Sequence, residues 1–300
     1  AAERTPAIEI VAAQRANPAV AVAADPVARV AAAPVAETAA VVSAADQANL
    51  AMVLQHDADY PDGLDALQSA PGLLFLGGNR ERFAELCAAP CVAVVGGRKA
   101  SAYGLGVAQE LGRQLSLAGI TVVSGMALGV DSAAHTGAMA AGGNTIAVMP
   151  SGADRAYPAS KRGLHRQIAA TGAVISEFPP GMQPHKWCFP ARNRIIAALS
   201  NLTVVIEAAE RSGALITAGW ARDLGLDVGA VPGEVTAHRS RGSNSLLHDG
   251  AHVIRDARDV LDIVIGPGYK LAFVLLDPRV DSGKIDRSPR RVRHPIASAA

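Results

Sequence analysis

Val94-Val95-Gly96-Gly97-Arg98, Val122-Val123-Ser124-Gly125, Val148-Met149-Pro150-Ser151-Gly152, Ile175-Ser176-Glu177, Val205-Ile206-Glu207 and Ala230-Val231-Pro232-Gly233 repeat one event. A short apolar strand ends, and Gly, Ser, Pro or a charged residue follows at once. Helical patterns separate these strands: Ser101 to Leu117, Leu128 to Ala141, Lys161 to Thr171, Ala191 to Ser200 and Ala214 to Leu224. The unit is therefore βα repeated, which demands an α/β fold with a parallel sheet. Ligands of such sheets sit beyond the carboxyl ends of the strands, and each special residue above falls at that edge. The pattern points to a site that holds something anionic rather than transforming it.

Composition sets the outer limits. Three hundred residues, half of them hydrophobic and 18% charged, suffice for one large α/β domain with appendages. The net charge of +1 neither supports nor excludes a polyanionic partner, because clustered Arg and Lys in the edge loops are hidden in the total. Cys87, Cys91 and Cys188 form no CxxC pair and leave an odd count, which reads as reduced thiols of a cytoplasmic protein. No apolar run reaches the length of a membrane span, and charges interrupt the Ala/Val-rich beginning, so it is no secretory leader.

Along the chain, residues 1–48 are Ala-, Val- and Pro-rich, with Pro6, Pro18, Pro26 and Pro34 spaced through them; they read as a flexible or weakly helical arm. Residues 49–265 carry the folded domain. Within it Leu64 and Leu67 suit a short helix, and Leu73 to Leu76 a strand closed by Gly77-Gly78. Residues 266–300 read as a flexible basic tail with Arg287, Arg290, Arg291 and Arg293.

Several chemistries can be weighed at the strand edge. Gly96-Gly97-Arg98 lacks the GxGxxG spacing, and the second strand ends in Ser124 rather than an acid, so dinucleotide binding is disfavoured. No GKS or GKT exists, which excludes a P-loop. Arg98 offers a planar fork for phosphate beside backbone amides, or is a structural loop arginine. Ser124-Gly125 and Ser212-Gly213 precede helices whose N-termini suit an anion. Phe189-Pro190-Ala191-Arg192-Asn193-Arg194 suits phosphate contacts with base stacking on Phe189 and Trp187; it equally suits a solvated helix start with both rings in the core. Asp131 and His135, four apart, and Glu177 and Glu207, ending two strands, could form an acid–base set or half a metal site. Helix-dipole pairing and loop anchoring are the favoured roles, since no third His or Cys falls at a ligand spacing. No G-x-S-x-G elbow appears.

The ordered set Val94–Arg98 with Tyr103-Gly104, Ser124–His135, Tyr157-Pro158, Ser176–Gly181, Phe189–Ile196, Glu207…Ser212–Ala218 and Ala230–Gly233 resembles the DNA-processing protein A (DprA/Smf) family from about Asp57 to about Leu261. The resemblance implies an extended Rossmann fold with a parallel-rich sheet and helices on both faces. It implies a homodimer that binds single-stranded DNA without sequence preference, uses no cofactor, and helps load RecA recombinase on incoming DNA during natural transformation. The implied phosphate pocket falls on Gly96, Gly97, Arg98, Ser124, Gly125, Arg192, Asn193 and Arg194, with Ser212 and Gly213 at the neighbouring strand end. Gly97 stands where the family usually has Ser or Thr, and Pro150 where many have Gly. Ala159-Ser160-Lys161-Arg162 shifts the positive charge of the Tyr-Pro loop along, and Lys161 is expected to reach the same phosphate. Residues 1–48 do not read as the family's helical N-terminal domain, nor the tail as its winged-helix domain. The rival reading is a phosphoribohydrolase of the lysine-decarboxylase-like group, but Glu207-Ala-Ala-Glu-Arg-Ser-Gly213 lacks that group's Pro-Gly-Gly-x-Gly-Thr loop.

Overall fold

The computed structural model describes residues 35–267. The arm before Val35 and the tail arginines Arg287 to Arg293 lie outside the described residues.

The strands are β1 (Ala51–Leu54), β2 (Leu73–Gly78), β3 (Cys91–Val95), β4 (Thr121–Ser124), β5 (Thr145–Val148), β6 (Ala173–Ser176), β7 (Leu202–Val205), β8 (Asp227–Ala230) and β9 (His252–Val253). They form one sheet in the order β1-β2-β6-β5-β4-β3-β7-β8-β9. Neighbours from β6 to β9 along that order run parallel, whereas β2 is antiparallel to both β1 and β6. The helices are α1 (Val35–Gln47), α2 (Arg80–Ala88), α3 (Ala102–Leu117), α4 (Val130–Met139), α5 (Arg162–Thr171), α6 (Cys188–Ala198), α7 (Gly213–Asp223), α8 (Arg241–His248) and α9 (Ala257–Val264).

Alternation along the strands divides the core into two layers. Cys91, Ala93 and Val95 face a cluster with Phe83 and Leu86 of α2, Ile195 of α6 and Ala218 of α7. Val92 and Val94 face the opposite cluster, with Leu111 and Leu115 of α3 and Ala134 of α4. Each fully buried Leu, Ile or Phe contributes about 1.5–3 kcal/mol. A third cluster joins Ile168 of α5 and Ala45 of α1 to Phe75, Ala147 and Val174. α1 therefore occupies the end of the Ala/Pro-rich segment, and the folded unit begins before residue 48.

α3 and α4 meet backbone to backbone. A Cβ on Gly137 would lie 1.8 Å from the Gln109 carbonyl, and one on Gly112 would lie 2.3 Å from that of Ala134. This contact fixes the loops after β3 and β4, which carry the candidate site. α6 starts at Cys188, three residues before the expected Ala191, because Pro190 falls in the first turn, where its missing N–H breaks no helical bond. Leu64 lies in a 3-10 turn over Asp62–Ala66 that Leu67 closes.

Candidate functional site

Strand order reverses at β3: β4, β5 and β6 lie to one side, β7 and β8 to the other. That reversal opens a crevice beyond the carboxyl ends of β3 and β7. It holds a cavity of about 290 Å³ lined by Gly96, Arg98, Asp131, Phe189, Arg192, Asn193, Ser212 and Gly213, among others. α6, crossing back from β6 to β7, brings Phe189, Arg192 and Asn193 over the crevice.

The loop after β3 is pinned by a buried carboxylate. Glu207 Oε2 accepts from the Ser101 amide at 2.7 Å and Oε1 from its hydroxyl at 3.0 Å. The Glu207 carbonyl accepts from the Gly97 amide at 2.6 Å. A carboxylate at the start of α3 also meets the positive end of its dipole. Gly129, at φ 83°, lets the loop before α4 press against this one: a Cβ there would stand 2.2 Å from the Gly97 carbonyl. Glu207 therefore anchors the loop that presents Arg98.

Arg98 is exposed, and its guanidinium carbon lies 4.9 Å from the centre of the Phe189 ring. Phe189 in turn meets Tyr157 at 5.4 Å between ring centres. Trp187 instead packs edge-on against buried Phe178 at 5.4 Å and parallel to His185. The two rings thus part company: Phe189 stands at the mouth of the pocket and Trp187 turns to Phe178.

The remaining arginines are buried. Arg192 donates to the Gly125 carbonyl at 2.7 Å and to the Val148 carbonyl, and its Nε donates to Asn193 Oδ1 at 3.2 Å. A Cβ on Gly125 would fall 2.3 Å from that guanidinium, so glycine is required there. Burial lowers the Arg192 pKa to about 10, which leaves it charged at neutral pH. Burial also raises Asp131, opposed by the charge of Arg192 and by the Ala127 amide at 3.3 Å. Arg194 does not line the pocket. It forms a buried ion pair with Glu177, whose own pKa burial pushes up. Ser124 Oγ donates to the Val94 carbonyl at 2.7 Å and is fully buried. Lys161 closes the 3-10 turn ahead of α5, beyond the pocket lining. Of the expected set, the structure gathers Gly96, Arg98, Arg192, Asn193, Ser212 and Gly213 around the pocket. Gly97, Ser124, Gly125 and Arg194 sit behind it as supports.

Asp131 and His135 do not act as a pair. His135 Nδ1 and Thr145 Oγ1 share a hydrogen bond at 2.7 Å, and the Thr145 hydroxyl also reaches the Val122 carbonyl at 2.7 Å. Burial drives the His135 pKa down to about 3. Asn244 is a support that sequence reasoning passed over: it accepts from the Gly233 amide at 3.0 Å and donates to its carbonyl at 3.1 Å. Eleven residues separate the partners, and no local pattern signals the clamp. Ser101, an N-cap residue type at a helix start, was a visible signal for the Glu207 anchor.

A family model for DNA recombination-mediator protein A matches residues 51–264. The chain belongs to that family. Protein Smf from Synechocystis sp. is 38% identical over 215 residues, 72% of this chain and 54% of its own length. DNA processing protein DprA from Streptococcus pneumoniae is 42% identical over 205 residues, 68% of this chain and 71% of its own length. The X-ray structure of the Streptococcus pneumoniae DprA superposes with a TM-score of 0.69 at 39% identity, covering 75% of this chain and 77% of that one. The Helicobacter pylori DNA processing protein A, solved for its single-stranded DNA binding mode, gives a TM-score of 0.64 at 28% identity over 73% of this chain and 97% of that one. This chain spans 54% of the Synechocystis protein and 44% of a Mycobacterium tuberculosis DprA. The extended Rossmann architecture expected of a DprA domain is the one observed, and no described helix is long and apolar enough to cross a membrane.

Proposed function

We propose that this DprA-family chain binds single-stranded DNA at the carboxyl edge of its sheet and acts as a recombination mediator without chemistry of its own. The observation that carries the reading is Arg98 laid over Phe189 at the mouth of the pocket, where strand order reverses. A cation and an aromatic face at one point offer a strand both of the things it presents everywhere, phosphate and base. Arg98 and the N-terminus of α7 at Ser212-Gly213 would take phosphate oxygens, with Gly96, whose Cβ would run into Val130, letting the loop pack closely at the pocket wall and Lys161 reaching a neighbouring phosphate. Arg192 and Asn193 would set the pocket floor, while Gly97, Ser124, Gly125 and Arg194 hold the loops in place. The single-stranded DNA binding mode of the Helicobacter pylori relative supports the same reading. Protection of incoming DNA, RecA loading during natural transformation, a homodimer and a cytoplasmic setting follow from family membership as part of the proposal.

Non-enzymatic action is supported by the acids themselves. Glu207 is tied to Ser101, and Glu177 to Arg194, so neither is presented as a nucleophile or base. Gel shifts with single- and double-stranded oligonucleotides at two salt concentrations test the binding, and adenine release from AMP tests the rival hydrolase. Preference for single strands with strong salt dependence and no adenine is the expected result. Equal binding of blunt duplex, or turnover lost in Glu207→Ala, would refute it.

A further inference from the structure

Charge is distributed very unevenly around the switch-point pocket. The loops leading from helices back into strands, Ala89-Pro90, Ala118–Ile120, Ala140–Asn144, Gly172, Leu199–Asn201, Leu224–Leu226 and Asp249–Ala251, contain no Lys or Arg. The cationic loops all lie at the opposite edge, where the pocket opens. Even there the two sides of the pocket differ. On the β7–β8 side, exposed Arg211, Arg239 and Arg241 are accompanied by two exposed acids, Glu210 and Glu234. On the β5–β6 side, residues 149–171 and 178–187 hold Arg155, Lys161, Arg162, Arg166 and Lys186 against one acid, Asp154. That acid accepts from the Gly181 amide at 3.0 Å. None of the five cations forms an ion pair among the described residues, whereas Arg80, Arg82 and Arg113 elsewhere all do. Glu177 at the end of β6 is neutralised by Arg194.

We infer that a bound single strand leaves the pocket in one direction only, over Phe189 and Tyr157 and onto the face made by the β5 loop and α5. The inference rests on the single-strand reading above and adds the path. The contacts mark it: Arg98 over Phe189, then Phe189 against Tyr157, whose ring is exposed. Tyr157 sits between Arg155 and Lys161 in sequence, and Arg162 and Arg166 follow one turn apart on α5, both exposed. Residues four apart share a helix face, so these two guanidinium groups form a continuous row with the loop. β5 lies two strand positions from β3, about 10 Å across the sheet, a span that a short strand bridges easily. The β7–β8 side, with two exposed acids against three arginines, offers a polyanion less excess positive charge than the β5–β6 side, with five cations against one acid.

The test compares two triple variants of the chain on two fluorescent deoxythymidine oligomers, about 4 and about 16 nucleotides long, the limits of ordinary single-strand sites. Arg155→Ala/Arg162→Ala/Arg166→Ala should leave the short oligomer unchanged. On the long one it should weaken binding about tenfold and flatten the log–log salt slope by roughly 2, three lost contacts at about 0.7 each. The matched control, Arg211→Ala/Arg239→Ala/Arg241→Ala, should change neither. Lysine at all three β5-side positions should restore the slope, which separates charge from folding. An unchanged slope in the first variant, or an equal loss in the control, overturns the directed path while leaving the pocket reading intact. Failure of the parent chain to bind either oligomer overturns both, whereas loss of short-oligomer binding in Arg98→Ala with no effect of the α5 substitutions on the long oligomer overturns the path alone.

Discussion

Arg98→Ala is the most informative single substitution, because the structure separates its cost to the fold from its cost to the ligand. Arg98 is exposed, forms no ion pair among the described residues, and makes its described contact with the Phe189 ring at 4.9 Å. An exposed cation–aromatic contact contributes about 0.5–1 kcal/mol. In a domain of this size that amounts to about 2–4 °C in Tm at most. A charge-assisted phosphate contact partly shielded by the pocket is worth about 1.5–3 kcal/mol, which is roughly tenfold to hundredfold in Kd. The salt slope should also flatten by about 0.7, one phosphate contact on a single strand. Arg98→Lys should recover part of the affinity, since an ammonium keeps the charge but loses the fork. Fluorescence anisotropy across a salt series, with calorimetry on the same samples, gives all three quantities. A folded Arg98→Ala protein that binds single strands as tightly as the parent, with the parent's slope, would show that the strand does not lie at the switch point.

Other positions should fail through the fold. Arg194→Ala leaves Glu177 buried without its partner and should cost about 3–5 kcal/mol in denaturant unfolding, while Arg194→Ala/Glu177→Leu should recover much of it. Gly137→Ala forces a Cβ into the Gln109 carbonyl and should cost more than the about 1–3 kcal/mol of ordinary overpacking, measured the same way. His135 stays neutral in the fold down to about 3, yet takes a proton below 6.5 when unfolded. Its contribution is therefore complete above that higher value and is lost as pH falls toward the lower one, at up to about 1.4 kcal/mol per pH unit. Urea unfolding between those limits should show this slope, and His135→Gln should remove that part of it.

The strand edge was legible because its signals are local. Each of Val94-Val95-Gly96, Val122-Val123-Ser124 and Val205-Ile206-Glu207 stops being apolar where the strand stops, and the parallel sheet places all those ends together. β1 and β2 were harder to read as an antiparallel edge, since pairing with β6 depends on contacts far away in sequence. The burial of the arginines was not legible either. Arg192 and Arg194 sit in a motif that reads as a cationic helix start, but α6 crosses over the sheet, and that crossing carries both guanidinium groups inward. Carbonyls of Gly125 and Val148, and the carboxylate of Glu177, then decide where the charges go.

Arginines of this chain divide between buried ones, matched inside the fold, and exposed ones such as Arg98. A buried cation must be matched by carbonyls or a carboxylate, or its desolvation cost is unopposed. Arg192 meets two backbone carbonyls and faces Asp131, and Arg194 meets Glu177, so neither lends net charge to the surface. What they contribute is rigidity: Arg192 ties the loop after β4 to the end of β5, and Glu207 ties the loop after β3 to α3. Arg98 then stands on a fixed base, and on the proposed reading its loop would need no ordering when a phosphate arrives, a saving that would appear directly as affinity. Substitutions at Arg192 and at Arg98 would both weaken binding, but only the first should do so together with a large fall in thermal stability. Measuring both quantities for each is what tells a support from a contact.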